Sequence, residues 1–208
     1  MKQNKITTIL ANKGSGKTIL ATALGLAQDK PTIMISPIKG SLPLHFRDKI
    51  DAQELDEDFY NGITYAYYLE TQDDLEELLE SLAHLDNICI IIDEIDFFYT
   101  NTLDNTTELY KLINYGRHRQ VDLVIMARRF QNIPKALVAQ TDIFYIGRIG
   151  RSYTDLEYIR KTIDKESAEL AQFLERGSFI RVENQSDTLS LIKLPSELVA
   201  KIERRTAK

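Results

Sequence analysis

The sequence predicts an α/β fold in which helices cover a doubly wound, mainly parallel sheet. An apolar segment at 6–10 runs into a glycine-bearing turn and then into a helical pattern of apolar residues. A continuous apolar run at 88–92 is typical of a strand buried on both faces of a parallel sheet. Strand and helix patterns alternate along the chain with short connections. We therefore expect one domain over residues 1–208, with a core at 6–160 and C-terminal helices, a β-hairpin and a tail at 161–208.

Composition excludes several classes of protein. The 208 residues are 43% hydrophobic, which is enough to bury one substantial core. A net charge of -5 argues against a protein that coats nucleic acid with a basic surface, so any contact with DNA must come from local basic loops. Cys89 is the one cysteine, which excludes an internal disulfide and a multi-cysteine zinc site. Because no apolar run approaches the roughly 18 residues that span a bilayer, we expect a soluble, cytoplasmic protein.

The turn after the first strand has the residues of a phosphate loop, the name used below for residues 11–18. Its sequence matches the pattern G-x-x-x-x-G-K-[ST] at Gly16, Lys17 and Thr18 and departs from it at Ala11, a small residue that fits the first bend if its φ stays negative. Gly14 and Gly16 allow backbone N–H groups to approach phosphate oxygens, Lys17 reaches the terminal phosphates, and the Thr18 hydroxyl can bind Mg²⁺. The pattern therefore predicts a nucleoside triphosphate in a cradle formed by Asn12, Lys13, Gly14, Ser15, Gly16, Lys17 and Thr18.

Two acidic residues, Asp93 and Glu94, follow directly after the buried strand at 88–92. In phosphate-loop enzymes an acid at this place holds Mg²⁺, and a glutamate after it can polarise the attacking water. An Asp-Glu pair also occurs at ordinary strand ends. Because the pair accompanies a phosphate loop, we interpret Asp93 as a metal ligand together with Thr18, and Glu94 as the catalytic base.

Arginines recur near the ends of the next two predicted strands, at 121–126 and 141–146. Arg117 precedes the first of these strands, Arg128 follows it, and Arg148 follows the second. Each of them can be a solvated turn charge, which is the usual fate of arginine. Arginine can also stabilise the charge that spreads over a γ-phosphate in the transition state, so all three are candidate catalytic residues.

The acidic helix that we predict after Thr71 begins with a capping box formed with Asp74, and we interpret its Glu76, Glu77 and Glu80 as solvated surface charges. The other segments have simpler patterns. We predict strands at 31–36 and 63–69, a loop with a short helix at 37–58, a loop at 97–105, helices at 109–116, 136–140, 155–163 and 165–174, a hairpin of 178–183 with 188–194, and a final helix at 197–205.

The order of these motifs resembles the HerA/FtsK group of DNA-pumping ATPases. In that group a phosphate loop and a strand ending in an acid pair are followed by a G-R-K-like segment, a strand ending in a T-Q-R-P-like motif, and an I-P-K-x-x-x-x-Q-like stretch. Here these correspond to Ile90-Ile91-Ile92-Asp93-Glu94 and to the segment 116–149, GRHRQVDLVIMARRFQNIPKALVAQTDIFYIGRI. The likeness covers residues 6 to about 160. Since the chain is short, it looks most like the compact genome-packaging ATPases of tailless icosahedral viruses with an internal membrane.

The resemblance implies a RecA-like fold and specific roles for the candidate residues. Lys17 and Thr18 would bind ATP and Mg²⁺, Asp93 would hold the metal, and Glu94 would activate water. Arg128 falls at the family's polar sensor, where glutamine is usual. Family members are hexameric rings with DNA in the central pore, so the resemblance also implies DNA, a homo-oligomer and capsid or membrane proteins at a packaging vertex as partners. Arg117 falls where the family has an arginine that reaches a neighbouring subunit's nucleotide, and Arg148 is a second candidate for that role.

Three other interpretations remain open at this point. A small phosphate-loop nucleoside kinase has a similar size and a D-E-x-x-F-F run like that at 93–98, although such kinases normally carry a cysteine-ligated zinc lobe. Zot-like assembly ATPases of filamentous phages are related to the same group, although they usually carry a transmembrane span. A nucleotide-binding switch or scaffold without turnover would need the phosphate loop but not Glu94.

Overall fold

The computed structural model describes residues 5–38, 47–49, 65–100, 102–184 and 189–197. Its centre is a nine-stranded sheet with the order β3-β4-β2-β5-β6-β1-β7-β8-β9, in which β7 pairs antiparallel with β8, β8 pairs antiparallel with β9, and the other pairs are parallel. The strands are β1 (Ile6–Leu10), β2 (Thr32–Ser36), β3 (Arg47–Lys49), β4 (Tyr65–Tyr68), β5 (Cys89–Ile92), β6 (Asp122–Ala127), β7 (Ile143–Ile146), β8 (Ser178–Glu183) and β9 (Leu189–Lys193).

Helices connect most of these strands, as the alternating pattern predicts. They are α1 (Lys17–Leu26), α2 (Gln72–Ser81), α3 (Ile95–Phe98), α4 (Glu108–Tyr115), α5 (Lys135–Gln140), α6 (Tyr153–Thr162) and α7 (Lys165–Ala171), with 3₁₀ turns at Leu82–His84, Gly116–Arg119 and Phe130–Asn132. None of the helices in the described ranges is long and apolar enough to cross a membrane.

The sheet separates two hydrophobic clusters. Alternate residues of a strand point to opposite faces, so Ile90 and Ile92 of β5 belong to one cluster while Cys89 and Ile91 belong to the other. The first cluster contains buried residues of α2, α4, α5, α6 and α7, and the second contains residues of α1. Because both faces of the central strands are covered, most of their residues are apolar, and β5 contains apolar residues alone.

The predicted elements agree with the structure over most of the described chain, including the doubly wound sheet, the hairpin strands and the capping box of α2, in which Thr71 and Asp74 exchange hydrogen bonds. Two loop predictions were wrong. Part of the loop predicted at 97–105 belongs to α3, and a strand, β3, lies inside the predicted loop at 37–58. The rest of 37–58 beyond residue 38, the hairpin turn at 185–188 and the final helix past residue 197 lie outside the described residues.

The interpretation of Glu76 as a solvated surface charge was also wrong. Its side chain is half-buried, and its carboxylate accepts hydrogen bonds from the Tyr99 hydroxyl and from the backbone N–H of Glu108, the first residue of α4. A carboxylate at a helix N-terminus is stabilised by the free N–H groups of the first turn. Glu76 therefore connects α2 to the segment that follows the acid pair, a contact that helical periodicity does not reveal.

The strand order places the predicted site at one edge of the sheet. All parallel strands end at the same side, called the carboxyl edge here; the opposite side is the amino edge. The connection after β1 runs to β2 on one side of β1, and the connection after β6 runs to β7 on the other side. Ligands of open α/β sheets bind outside the carboxyl ends of the strands where the connections diverge in this way. The phosphate loop after β1 and Arg128 after β6 flank this crevice.

Candidate nucleotide-binding site

The phosphate loop makes a tight turn between β1 and α1. Gly14 and Gly16 have φ values of 76° and 99°, in the left-handed region that glycine tolerates without steric cost. The Ser15 hydroxyl donates to the carbonyl of Asn12 at 2.7 Å, which closes the turn. Gly16 directly precedes α1 and has no side chain to cap the first N–H groups of the helix. These donors and the positive end of the helix are therefore available to phosphate oxygens.

The departure from the pattern at Ala11 is explained by Gly147. Ala11 is fully buried and keeps a negative φ. A Cβ placed on Gly147 would lie 2.7 Å from the Ala11 Cβ and 2.9 Å from the ring of Phe179. The methyl group that the loop gains at Ala11 therefore occupies space that the missing side chain of Gly147 leaves free, while Gly147 N donates to Leu10 O at 2.8 Å.

Lys17 is buried inside the loop, with only 8% of the residue exposed. Its Nζ donates to the carbonyl oxygens of Ala11 at 2.7 Å and Asn12 at 3.3 Å. The pKa of Lys17 is lowered, chiefly because burial disfavours its charged form, and the nearby carboxylates of Asp93 and Glu94 oppose this effect. The structure thus brings the loop lysine and the acid pair after β5 into one electrostatic environment.

Asp93, the first residue of the acid pair, is buried close to Lys17. It is 5% exposed, its carboxylate accepts a hydrogen bond from the backbone of Glu94, and the hydroxyl of Ser36, the last residue of β2, lies 3.5 Å away. Burial, reinforced by the charge of Glu94, raises the pKa of Asp93 to about 6, whereas the charge of Lys17 lowers it. Sequence reasoning missed Ser36 because a serine that ends a strand has no motif of its own.

Glu94 pairs with Arg128 across the crevice. The Arg128 guanidinium forms an ion pair with the Glu94 carboxylate, and the backbone N–H of Arg128 lies 3.5 Å from Asp96 Oδ1. Glu94 has a φ of 52° and a ψ of 54°, a left-handed conformation that is uncommon outside glycine. This conformation turns the chain from β5 into α3 directly after the acid pair. Asp96, in the first turn of α3, thus lies next to the backbone at the start of the loop after β6.

The segment after Arg128 is held by a buried carboxylate from α6. Asp155 is 3% exposed, and its two oxygens accept hydrogen bonds from the backbone N–H of Phe130 at 3.0 Å and from the Ser152 hydroxyl at 2.7 Å. The carboxylate therefore connects the loop after β6 to the loop after β7. Its position in a polar helix start gives no sequence signal for this role.

The other two candidate arginines lie on opposite edges. Arg148 follows β7 at the carboxyl edge, where its carbonyl accepts from Asn12 N at 3.0 Å and its side chain is exposed. Arg117 lies in the turn before β6, at the amino edge, and its Nη2 contacts Asp142 Oδ1 at 3.1 Å. Because the six residues of β6 span about 20 Å, Arg117 cannot reach the phosphate loop of its own chain.

The arrangement at the carboxyl edge suits a triphosphate with a divalent cation. The hydroxyl of Thr18 and the carboxylate of Asp93 are hard oxygen donors of the kind that Mg²⁺ prefers. A buried carboxylate with a raised pKa gains from a cation that replaces its lost hydration, so these residues fit the metal. Lys17 and the N–H groups of the loop can bind phosphate oxygens, and Glu94 adds a second carboxylate to the same crevice.

Solved structures share this fold at low sequence identity. B204, a genome packaging NTPase from Sulfolobus turreted icosahedral virus 2 in complex with AMPPCP, is 18% identical with a TM-score of 0.76, covering 92% of this chain and 98% of that chain. VirB4 of Thermoanaerobacter pseudethanolicus is 12% identical with a TM-score of 0.61, covering 92% and 90%. The N-terminal domain of zonular occludens toxin from Neisseria meningitidis is 15% identical with a TM-score of 0.50, covering 95% and 98%. These likenesses confirm the P-loop NTPase fold.

Sequence comparisons identify the family. No curated protein sequence matches the chain. The family model described as an AAA domain matches residues 1–133, which is more than half of the 208 residues and includes the phosphate loop, the acid pair and Arg128. Together with the phosphate loop and the nine-stranded sheet, this match shows that the chain belongs to the AAA domain family.

Proposed function

We propose that this protein is an ATPase, a single domain that couples ATP hydrolysis to the movement of DNA. The observation that carries the ATPase proposal is the convergence of Lys17, Asp93 and Glu94 at the carboxyl edge, where each of the two acids influences the charge of the lysine. A triphosphate in the loop would meet a buried cation, a metal-binding carboxylate and a candidate base within one crevice.

Each residue has one role in this proposal. Residues 12–18 of the phosphate loop bind the phosphates, and Lys17 contacts the terminal ones. Thr18 and Asp93 hold Mg²⁺, which would neutralise phosphate charge. Glu94 accepts the proton of the attacking water. Arg128 stabilises charge on the γ-phosphate from within the chain, since it follows β6, which ends at this edge beside β5, and Arg148 is a second candidate for an arginine that acts on a neighbouring subunit's nucleotide.

Two parts of the proposal, that the protein moves DNA and that it packages viral DNA into a preformed capsid, are based on similarity to other proteins. The order of motifs resembles the HerA/FtsK group, and a solved structure with a similar fold belongs to a viral genome packaging NTPase. In this proposal the chain forms a homo-oligomeric ring, a hexamer in that group, with DNA in its pore and Arg117 reaching the nucleotide of a neighbouring subunit.

Capsid or membrane proteins at a packaging vertex would be further partners, and the protein would act in the host cytoplasm or at that vertex. A ring would also explain how an acidic chain binds a polyanion, because only the loops that line the pore need be basic.

ATP turnover with and without DNA, measured beside the mass of the protein in solution, tests the proposal. We expect hydrolysis that DNA stimulates and a mass several times that of the monomer. Lys17→Ala should abolish nucleotide binding, whereas Lys13→Ala should retain it, because the Lys13 side chain is exposed and its place in the cradle depends on its backbone N–H, which alanine keeps. Phosphorylation of a nucleoside without stimulation by DNA would favour the kinase instead. Tight ATP binding without turnover in the wild type would favour a passive switch.

A further inference from the structure

The order of the strands indicates which way a nucleoside triphosphate would lie across the phosphate loop. The groups suited to the γ-phosphate, namely Asp93, Glu94 and Arg128, follow β5 and β6, which lie on one side of the phosphate loop. On the other side lie β7 and β8. A triphosphate whose terminal phosphate lies beside the acid pair must therefore direct its nucleoside toward the loops next to β7 and β8.

Two segments on that side are attached directly to the phosphate loop. The side-chain amide of Asn12 donates to the carbonyl of Ile149, after β7, at 2.8 Å. The backbone N–H of Gly177, before β8, donates to the carbonyl of Ser15 at 3.0 Å. A third hydrogen bond, from Ile149 N to Ala171 O at 3.1 Å, joins the two segments to each other. Residues 149–153 and 171–177 thus form two connected walls beside the loop.

Each wall carries an exposed aromatic side chain. Phe173 is 81% exposed and Tyr153 is 76% exposed, the two largest values among the large hydrophobic residues that the structure describes. Neither ring contributes to the hydrophobic clusters of the fold. Phe173 is only four residues from Gly177, so the chain between them spans at most about 14 Å. The position of the two rings, on the two walls that are bonded to the phosphate loop, therefore favours a ligand contact.

We propose that Phe173 and Tyr153 form the nucleobase site of this protein, where the flat aromatic base of the triphosphate stacks on Phe173 and contacts Tyr153. The inference rests on the proposed function, because it assumes that a nucleoside triphosphate occupies the phosphate loop. Aromatic rings stack on bases through dispersion and through burial of apolar surface, and such stacking tolerates different bases. The site therefore contributes affinity for the nucleoside while the loop contributes affinity for the phosphates.

A single introduced fluorophore tests the contact. The sequence contains no tryptophan, so Phe173→Trp creates a unique reporter at the proposed site. We expect ATP with Mg²⁺ to change the fluorescence of this indole by stacking on it, and inorganic tripolyphosphate with Mg²⁺, which has no base, to leave it unchanged. The control is Leu26→Trp, at a position that is 51% exposed and ends α1, at the opposite end of that helix from the phosphate loop, where neither ligand should change the signal. An equal response of the Phe173→Trp protein to both ligands, or no response to saturating ATP, would overturn the site.

Titration calorimetry with ATP and with tripolyphosphate distinguishes a loss of base stacking from a general disruption of the binding site. Phe173→Ala should weaken ATP binding by about 5- to 100-fold and Tyr153→Ala should weaken it by a smaller factor, while the affinity for tripolyphosphate stays unchanged. Equal weakening of both ligands, or unchanged ATP binding in both variants, would contradict the proposal. Failure of the phosphate-loop assignment looks different, because the wild-type protein would then bind neither ATP nor tripolyphosphate, and a protein that binds both without hydrolysing ATP would refute the ATPase but not the base site.

Discussion

The Arg128 guanidinium is ion-paired with the Glu94 carboxylate at the carboxyl edge of the sheet, and the charges of both residues act on the buried Lys17. Glu94 follows β5 and Arg128 follows the neighbouring strand β6, so the pair spans the crevice that a γ-phosphate would enter. The phosphate would compete with Glu94 for the guanidinium. The pair therefore places a candidate base and a candidate charge stabiliser on either side of one reacting group.

Removal of the carboxylate charge of Glu94 should separate binding from turnover. We expect Glu94→Gln to bind ATP and to lower kcat by about 10²- to 10⁴-fold, because the amide cannot accept a proton from water. Asp96→Asn is the matched control, since Asp96 lies two residues away and its Oδ1 is 3.5 Å from the backbone N–H of Arg128. Its kcat should fall by less than about tenfold. Single-turnover and steady-state hydrolysis both measure the difference, and a Glu94→Gln protein with normal turnover would remove Glu94 from the mechanism.

Asp93→Asn should make the ligand-free protein more stable. The folded pKa of Asp93 is about 6 and its ordinary value is 3.8, so the folded state binds the proton more tightly and loses stability as the pH rises through this window. Above pH 6 the full penalty is present, on the order of 1 to 3 kcal/mol. We expect the melting temperature of Asp93→Asn at pH 7.5 to exceed that of the wild type by roughly 3 to 10 °C.

The control for this prediction is Asp122, a buried aspartate whose carboxylate has a cation and a backbone N–H as partners. Asp122 is also 5% exposed, but its Oδ2 lies 2.6 Å from Lys30 Nζ and its Oδ1 accepts from Lys5 N at 2.9 Å. Asp122→Asn leaves the Lys30 cation without its charge partner and should lower the melting temperature. If both substitutions shift the melting temperature in the same direction, Asp93 is not an ionised carboxylate that destabilises the folded protein through its burial.

The same pKa predicts how metal-dependent nucleotide binding changes with pH. Mg²⁺ requires the ionised carboxylate, so Mg²⁺-dependent ATP affinity should be constant above about pH 6 and fall by about tenfold per pH unit below it. The charge of Arg128 lowers the pKa of Asp93, so Arg128→Gln should move the midpoint to higher pH. Titration calorimetry between pH 5 and pH 8, in the presence and absence of Mg²⁺, measures both midpoints. A midpoint that moves to lower pH in Arg128→Gln would contradict the assigned electrostatics.

Complementation between subunits tests the role of Arg117. The length of β6, about 20 Å, separates Arg117 from its own phosphate loop, so the role proposed for it is at the nucleotide of a neighbouring subunit. Mixed oligomers of Arg117→Ala and Glu94→Gln chains should recover part of the hydrolysis that each variant lacks alone. Arg119→Ala is the control, because Arg119 lies in the same turn and pairs with Asp86. Failure of the mixture to hydrolyse ATP, with mixed oligomers demonstrated by mass, would exclude a role in trans.

The close approach of Gly147 to the phosphate loop predicts a loss of stability on substitution. A methyl group in Gly147→Ala would meet the Ala11 Cβ at 2.7 Å and the Phe179 ring at 2.9 Å, which should cost about 1 to 3 kcal/mol. Ala11→Gly in the same chain removes the first of these clashes and should restore part of the loss. Urea denaturation of the two single variants and the double variant gives the coupling energy. Strict additivity of the two changes would show that the methyl groups do not compete for this space.

Local patterns predicted much of this molecule. The phosphate loop, the buried strand before Asp93 and Glu94, and the capping box at Thr71 depend on residues close together in sequence, and the structure contains each of them. The alternation of strands and helices also predicted the parallel sheet, since connections of that kind join parallel strands. The errors at β3, α3 and Glu76 occurred where short elements and long-range contacts outweigh local preference.

The sequence by itself thus determined the phosphate loop and the acid pair after a buried strand, because residue types at fixed spacing set both local structures. The tertiary structure alone decided the partners of these groups: Arg128 faces Glu94, Gly147 makes room for Ala11, and the turn before β8 is bonded to Ser15. These pairs join residues 34 or more positions apart in the chain, and strand order alone brings them together. The chemistry of a side chain follows from the residue type at one position, whereas the distance between residues far apart in sequence depends on how the strands are arranged in the folded sheet.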